Sequence, residues 1–340
     1  MNVLSLFNGM NTGRQALEDL GFKVEKYYSS EIKPYAIKLT QFHFPDTIQV
    51  GNILNWKDWD IDFSKIDLVL SGSPCQDLSQ AGKRAGIYGK KSSLFFVFIE
   101  ILNHIKKLNP NVKFLQENVG SASKKAVGIM SEALGVYPVR INSNLLTAQN
   151  RDRYYWTNIK TKKSLFDVIT DIPQPKDNNI LLENIIENGF VDRKKSLCLL
   201  EGYWSKKPKK DNEKMIKRYE LGMLQIIQEK EDSILRVKEA TKKGYIDIKE
   251  GECVDLSYPK SNTRRGRLMK EKSNALLRQN EFYLFKNNEL RFLTQTEMER
   301  LQGFNDGYTK ILTIRQACSL LGDGWTLPVI KHIFSFLKIN

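Results

Sequence analysis

Cysteine and histidine are scarce in this chain of 340 residues. The four cysteines, Cys75, Cys198, Cys253 and Cys318, lie far apart and form no Cys-x-x-Cys pair. That excludes a disulfide framework and a zinc-finger spacing. The three histidines, His43, His104 and His332, are not paired at ligand spacing, so no metal is expected. Such cysteine usage fits a reducing, intracellular compartment. Long apolar runs are missing as well. The most apolar stretch, Leu94 to Leu102, is broken by Glu100 and is too short to span a bilayer. Met1 to Gly13 has neither the charged start nor the apolar centre of a secretory signal. A cytoplasmic protein with no membrane partner is the expectation. Internal repeats and low-complexity segments are absent too.

Positive charge, by contrast, is in excess. Lys and Arg number 53 against 39 Asp and Glu, a formal net charge of +14. Such an excess favours a polyanionic partner, nucleic acid ahead of an anionic membrane surface. Hydrophobic residues make up 41%, enough for a globular core rather than a disordered chain. The length predicts roughly two domains.

Over the first 160 residues or so, short apolar runs alternate with helical patterns. Strands are predicted at Val3–Phe7, Val24–Ser30, Asp67–Ser71 and Lys113–Gln116, and helices at Arg14–Leu20, Pro34–Phe42 and Ser93–Lys107. This alternation gives an α/β fold, a doubly wound and mostly parallel sheet with ligands at the carboxyl ends of its strands. Residues 171–285 are more polar and basic, with ten Lys or Arg in residues 193–218 and a second cluster at Thr263-Arg264-Arg265-Gly266-Arg267. They read as a smaller domain with a nucleic-acid face, in which 213–243 is predicted helical. The end of the chain, from 291, returns to helical periodicity. The expected division is therefore 1–170 with 286–340 as one domain and 171–285 as the other.

Four constellations sit where strands end. Phe7-Asn8-Gly9-Met10-Asn11-Thr12-Gly13 is a glycine-containing strand-to-helix turn, which lets backbone approach a nucleotide-like ligand. Glu31, 22 positions after Gly9, closes the next strand, where a carboxylate binds ribose hydroxyls. Gly72-Ser73-Pro74-Cys75-Gln76-Asp77-Leu78-Ser79 sets a thiol on a strand-to-loop turn, a nucleophile's placement. A thiol of ordinary pKa, about 8.5, must be partly ionised to attack. The loop that follows carries Gly82, Gly86 and Gly89 among Lys83, Arg84, Lys90 and Lys91, the composition of a lid over an anionic substrate. Gln116-Glu117-Asn118-Val119 brings a carboxyl group to the same sheet edge. In Gln149-Asn150-Arg151-Asp152-Arg153 the two arginines alternate, so an extended backbone points both to one face.

Together these motifs resemble the cytosine-C5 DNA methyltransferase family. Its Phe-x-Gly turn, Pro-Cys loop, Glu-Asn-Val strand end and Gln-x-Arg-x-Arg segment occur here in that order. Two late segments also match: Arg291-Phe292-Leu293-Thr294 with Glu297 and Arg300-Leu301-Gln302-Gly303-Phe304, and Leu321-Gly322-Asp323-Gly324-Trp325-Thr326-Leu327-Pro328-Val329-Ile330. The match covers 1–160 and 291–338. Pro-Cys-x-Asp-Leu-Ser, Ser93-Leu94-Phe95-Phe96 and the Trp-x-x-Pro-Val-Ile ending resemble the de novo branch. The resemblance implies a Rossmann-like domain that binds S-adenosylmethionine (AdoMet), with a target-recognition domain at 171–285.

By the same resemblance, Cys75 attacks C6 of a flipped-out cytosine, Glu117 holds its N3 and exocyclic amine, and Arg151 and Arg153 steady the base. Phe7, Gly9, Thr12, Glu31, Ile32, Asn52, Ile53, Pro74, Leu94 and Trp325 are implied to line the cofactor pocket. Asn52 stands where an Asp is common, and its side-chain carbonyl still accepts from an adenine amine. Gln76, Ser79, Lys83, Arg84, Arg264, Arg265 and Arg267 are the expected contacts to double-stranded DNA. Three alternatives stay open on sequence grounds. These are a tRNA cytosine methyltransferase, whose Cys-Phe-Thr segment is missing here, an inactive DNA-binding regulator, and an unrelated α/β enzyme in which Cys75 is structural.

Overall fold

The computed structural model describes residues 1–74, 94–187, 193–196, 198–199, 224–228, 233–249, 251–256, 261–263, 265–268, 271–272, 282–286, 289–291 and 293–338. These form two compact units, one of residues 1–143, 152–176 and 324–340, the other of 144–151 and 177–323.

In the first unit, seven strands make one sheet: β1 (Asn2–Leu6), β2 (Lys26–Ser30), β3 (Ile48–Gln49), β4 (Leu68–Ser71), β5 (Lys113–Val119), β6 (Val139–Asn142) and β7 (Asp152–Thr157). Their order is β3-β2-β1-β4-β5-β7-β6. The first five run parallel, and β7 runs antiparallel between β5 and β6. The expected doubly wound, mostly parallel sheet is thus present. The helices are α1 (Thr12–Asp19), α2 (Pro34–His43), α3 (Leu94–Leu108) and α4 (Lys124–Leu134), with a further helix at Leu327–Phe334.

A central parallel strand is covered on both faces and so reads as a continuous apolar run. Leu68-Val-Leu-Ser71 of β4 is buried at every position. On one face Leu4, Leu6, Val69 and Phe114 pack against Phe95, Phe98, Ile101, Leu102 and Ile105 of α3, the helical spacing visible in the sequence. The ends of α4 are equally legible. Ser123 caps its start by accepting from Ala126 N, and Gly135 ends it in the left-handed conformation.

The described residues of the second unit are largely β. A three-stranded antiparallel sheet joins β9 (Leu224–Gln228), β10 (Ser233–Lys238) and β11 (Tyr245–Ile248), after a short β8 (Arg193–Lys195). Two helices, Gln295–Leu301 and Ile314–Asp323, close this unit. The helix predicted over 213–243 is overturned where the chain is described: 224–228 and 233–238 are paired strands. Leu-Gln-Ile-Ile-Gln and Ser-Ile-Leu-Arg-Val-Lys are rich in β-branched residues, which outweigh the charge pattern that mimicked a helix face. Register is pinned where Arg236 and Asp247 stand directly opposite each other and pair through two bonds, 2.6 and 2.9 Å. The Arg236 guanidinium holds the Asp247 carboxyl below its usual pKa. Among the described residues, no helix is long and apolar enough to cross a membrane.

Phe98, fully buried on α3, tests the core of the first unit. Phe98→Ala is expected to cost about 3–5 kcal/mol, the transfer of the ring plus the cavity it leaves. Denaturant unfolding of the full chain measures it, and a loss below about 1 kcal/mol would show that α3 does not anchor the sheet.

Candidate active site

The carboxyl ends of β1, β2, β4 and β5 lie at one edge of the sheet because these strands are parallel. After β1 the chain turns sharply, with Phe7, Gly9 and Asn11 all at positive φ, 57°, 57° and 66°. Glu31, just past β2, closes on this turn: its Oε2 accepts from Gly9 N at 2.8 Å, and its Oε1 accepts from Ile32 N and Lys33 N at 2.7 and 2.9 Å. A carboxylate has about four acceptor sites, so Glu31, half-exposed, keeps capacity for a further donor.

The other expected pocket residues are distributed unevenly. Ile32 is 68% exposed next to Glu31, whereas Ile53 is buried in the core with Trp56 and Ile61. Asn52 uses its side-chain oxygen to cap the following turn, accepting from Leu54 N at 3.0 Å. Phe7 and Leu94 pack partly buried against the same core. Thr12 is buried at the start of α1, and its hydroxyl reaches the carbonyl of Trp325 at 3.5 Å. Pro74 is half-buried.

At the end of β5 stands Glu117, only 8% exposed. Arg153 Nε is 2.9 Å from its Oε1, and Trp325 Nε1 donates to its Oε2 at 3.1 Å. The pairing of β5 with β7 explains the first contact. Glu117 lies opposite Tyr155, so Arg153, two residues away, is its diagonal neighbour on the same face. Both residues flanking Glu117 hold Ser73, two positions before Cys75. Gln116 Nε2 donates to Ser73 Oγ at 2.9 Å, and Asn118 Nδ2 to Ser73 O at 3.5 Å. The motifs contain Gln116 and Ser73 without marking either as a functional residue. The signal was a glutamine within a strand buried on both faces, a position that needs a polar partner.

Arg151 has a different setting. β7 begins at Asp152, so the alternation that would set both arginines on one face does not extend to Arg151. It is buried in the second unit. Nη1 donates to Cys198 Sγ and Leu199 O at 3.0 and 3.1 Å, and Nη2 to Gly322 O at 3.0 Å. Gln149 reinforces it: its Oε1 accepts from Leu199 N at 2.7 Å and its Nε2 donates to Leu301 O at 3.0 Å.

Cys75, Gln76, Ser79, Lys83, Arg84 and Arg264 lie outside the described residues. Arg265 donates to Glu239 O at 3.2 Å and Arg267 to Thr263 O at 2.7 Å, so both have backbone partners in their own unit. Among the described residues, no group of three or more His, Cys, Asp or Glu could hold a metal ion.

A parallel sheet with one antiparallel strand between its last two, and its polar residues at the carboxyl edge, is the AdoMet-dependent methyltransferase fold. Within that fold the chain belongs to the C-5 cytosine-specific DNA methylase family, whose profile matches residues 1–338. It is an enzyme of that family. It is 27% identical over 426 aligned positions to Type II methyltransferase M.NgoBV of Neisseria gonorrhoeae, covering 98% of this chain and 97% of the relative. It is 28% identical over 347 positions to Type II methyltransferase M1.ScrFI of Lactococcus lactis subsp. cremoris, covering 97% and 76%. Its fold is similar to that of Entamoeba histolytica methyltransferase EhMeth, with a TM-score of 0.59, 17% identity, and coverage of 99% and 97%.

The buried fork of Arg151 gives a direct test. Arg151→Lys keeps the charge but replaces two nitrogens, aimed at separate carbonyls, with one ammonium. Expected is a destabilisation of about 2–4 kcal/mol from acceptors left unpaired. Thermal or denaturant unfolding measures it, and a wild-type midpoint would mean that these carbonyls do not need the fork.

Proposed function

We propose that this enzyme transfers a methyl group from AdoMet to C5 of a cytosine flipped out of duplex DNA, with Cys75 as covalent catalyst and Glu117 and Arg153 holding the base. The observation that carries the proposal is Glu117, buried and paired with Arg153 at the end of β5, with the residues on either side of it gripping Ser73 ahead of Cys75. Two Type II methyltransferases aligned over nearly the whole chain support DNA as the substrate. The net charge of +14 supports a polyanion.

The residues at the sheet edge fit AdoMet. Glu31 has acceptor capacity for a ribose diol, and Gly9 leaves open space, since a Cβ there would meet only Phe7 O, at 3.8 Å. Phe7, Gly9, Thr12, Glu31, Ile32, Asn52, Ile53, Pro74, Leu94 and Trp325 are the residues proposed to hold it. When bound it supplies an electrophilic methyl group.

Cytosine C5 is a weak nucleophile until C6 carries an added group. The Cys75 thiolate forms a bond to C6, and the displaced ring electron pair makes C5 nucleophilic as Glu117 delivers a proton to N3. General acid assistance of this kind contributes about 10²–10⁴-fold. Arg153 keeps Glu117 against the base edge and offsets charge developing on the ring. Once C5 carries the methyl group, N3 returns its proton to Glu117, the C5 proton passes to water, and the C5–H electron pair re-forms the C5–C6 double bond and expels the Cys75 sulfur as thiolate. Extruding the base costs a few kcal/mol. Phosphate contacts offset that cost, from Gln76, Ser79, Lys83 and Arg84 after Cys75 and from Arg264, Arg265 and Arg267 in a target-recognition domain at 171–285. In this division 1–170 and 286–340 form the catalytic domain, which differs from the compact units in that the second of them also takes in 144–151 and 286–323. The bulge of charge in the second region predicts DNA binding that weakens steeply with salt.

The experiment is methylation of unmethylated genomic DNA by the full chain with AdoMet, read by base-resolution cytosine sequencing beside Cys75→Ala. Expected are methylated cytosines in one sequence context and none with Cys75→Ala. Methylation that persists in the variant would remove Cys75 from the mechanism. Failure on DNA with transfer to total tRNA would replace the substrate.

A further inference from the structure

Trp325 reaches three parts of the site at once. Its indole Nε1 donates to Glu117 Oε2 at 3.1 Å. Its ring lies against Gly72, where an added Cβ would come within 2.9 Å of that same nitrogen and 3.4 Å of Cε2. Its carbonyl accepts from Thr12 Oγ1, at the start of α1, at 3.5 Å. A residue that only lined a cofactor pocket would not need the bond to Glu117.

The geometry at Glu117 shows what the indole adds. Arg153 Nε pairs with Oε1 at 2.9 Å. The terminal torsion of a glutamate is broad and roughly two-fold, so a carboxylate held at one oxygen still turns about its last bond. A donor on the second oxygen fixes the plane of the group. Indole N–H is suited to this because it donates and never accepts, so it takes no proton from the acid it holds. Gly72 makes room for it: any side chain there would push the nitrogen away from Oε2.

We propose that Trp325 is a positioning residue for Glu117. With Arg153 it sets the plane in which the carboxyl group meets the cytosine edge, and through its carbonyl it links that plane to the β1–α1 turn. The proposal rests on the reading of Glu117 as the residue that holds the base. Trp325→Phe keeps a ring over Gly72 and removes the donor. Gly72→Ala keeps the donor and displaces it.

The test compares the full chain with both variants on duplex DNA under single-turnover conditions. AdoMet affinity is measured by calorimetry and folding by melting temperature. Expected for Trp325→Phe is a fall in the methyl-transfer rate of about tenfold, the loss of one hydrogen bond to a charged group in the transition state. Melting temperature stays close to that of the parent chain, AdoMet affinity falls by much less than the rate because Phe keeps a ring in the cofactor pocket, and Gly72→Ala falls in the same direction. In a Glu117→Ala background, Trp325→Phe has no further effect, because its partner is gone. A full rate in Trp325→Phe overturns the proposal, as does an undiminished tenfold loss in the Glu117→Ala background. A rate loss matched by loss of AdoMet binding also overturns it and returns Trp325 to the cofactor pocket alone. If Glu117→Ala itself transfers methyl groups at the parent rate, the reading of Glu117 fails, and the proposal fails with it.

Discussion

A carboxyl group 8% exposed at the end of a buried strand is unfavourable unless donors reach it, and Glu117 has one on each oxygen. The donors come from different stretches of chain: Arg153 from β7, which runs beside β5, and Trp325 from the segment that rejoins the first unit near its end. The antiparallel insertion of β7 is what makes the first possible. A strand running backwards brings its opening residues, not its closing ones, to the carboxyl edge of β5. The order β5-β7-β6 is thus part of the chemistry as well as of the sheet.

Around this acid the neighbouring polar groups are arranged economically. Gln116 and Asn118 lie on either side of Glu117 along β5, and both reach Ser73 at the end of the adjacent β4. One side chain–side chain bond and one side chain–backbone bond therefore fix the turn that leads to Cys75 relative to the strand that bears the acid. The Glu31 carboxylate does the same on the other side of β1, accepting from Gly9 N and from its own following amides. Both cases use a buried or half-buried polar group as a brace between parallel strand ends.

The first unit was largely legible in the sequence. β4 is an apolar run between turn residues, and the apolar face of α3 shows at 95, 98, 101, 102 and 105. Local pattern sets such elements, so local reading finds them. Ser73 and Gln116 escaped notice because their partnership spans 43 positions and neither carries a charge. The hydrogen bond of Trp325 to Glu117 spans 208 positions, and nothing near Trp325 in the chain announces it. The strands at 224–228 and 233–238 were misread for the opposite reason. The high charge of 213–243 favours a helix on the sequence, but Ile-Ile and Ile-Leu-Arg-Val carry β-branched residues, which suit paired strands whatever charges lie between them.

The polar ties within the second unit have an evolutionary consequence. Gln149 bonds to the main-chain N–H of Leu199 and the carbonyl of Leu301, and Arg151 to the carbonyls of Leu199 and Gly322. Main-chain atoms are the same in every residue, so these ties place no demand on the side chains at 199 and 301, which burial alone constrains. The two ligating side chains are not free in this way, since their reach and fork shape are specific. A transplant of 177–323 from a relative would be received by the host's own 144–151 segment, provided its backbone follows the same path.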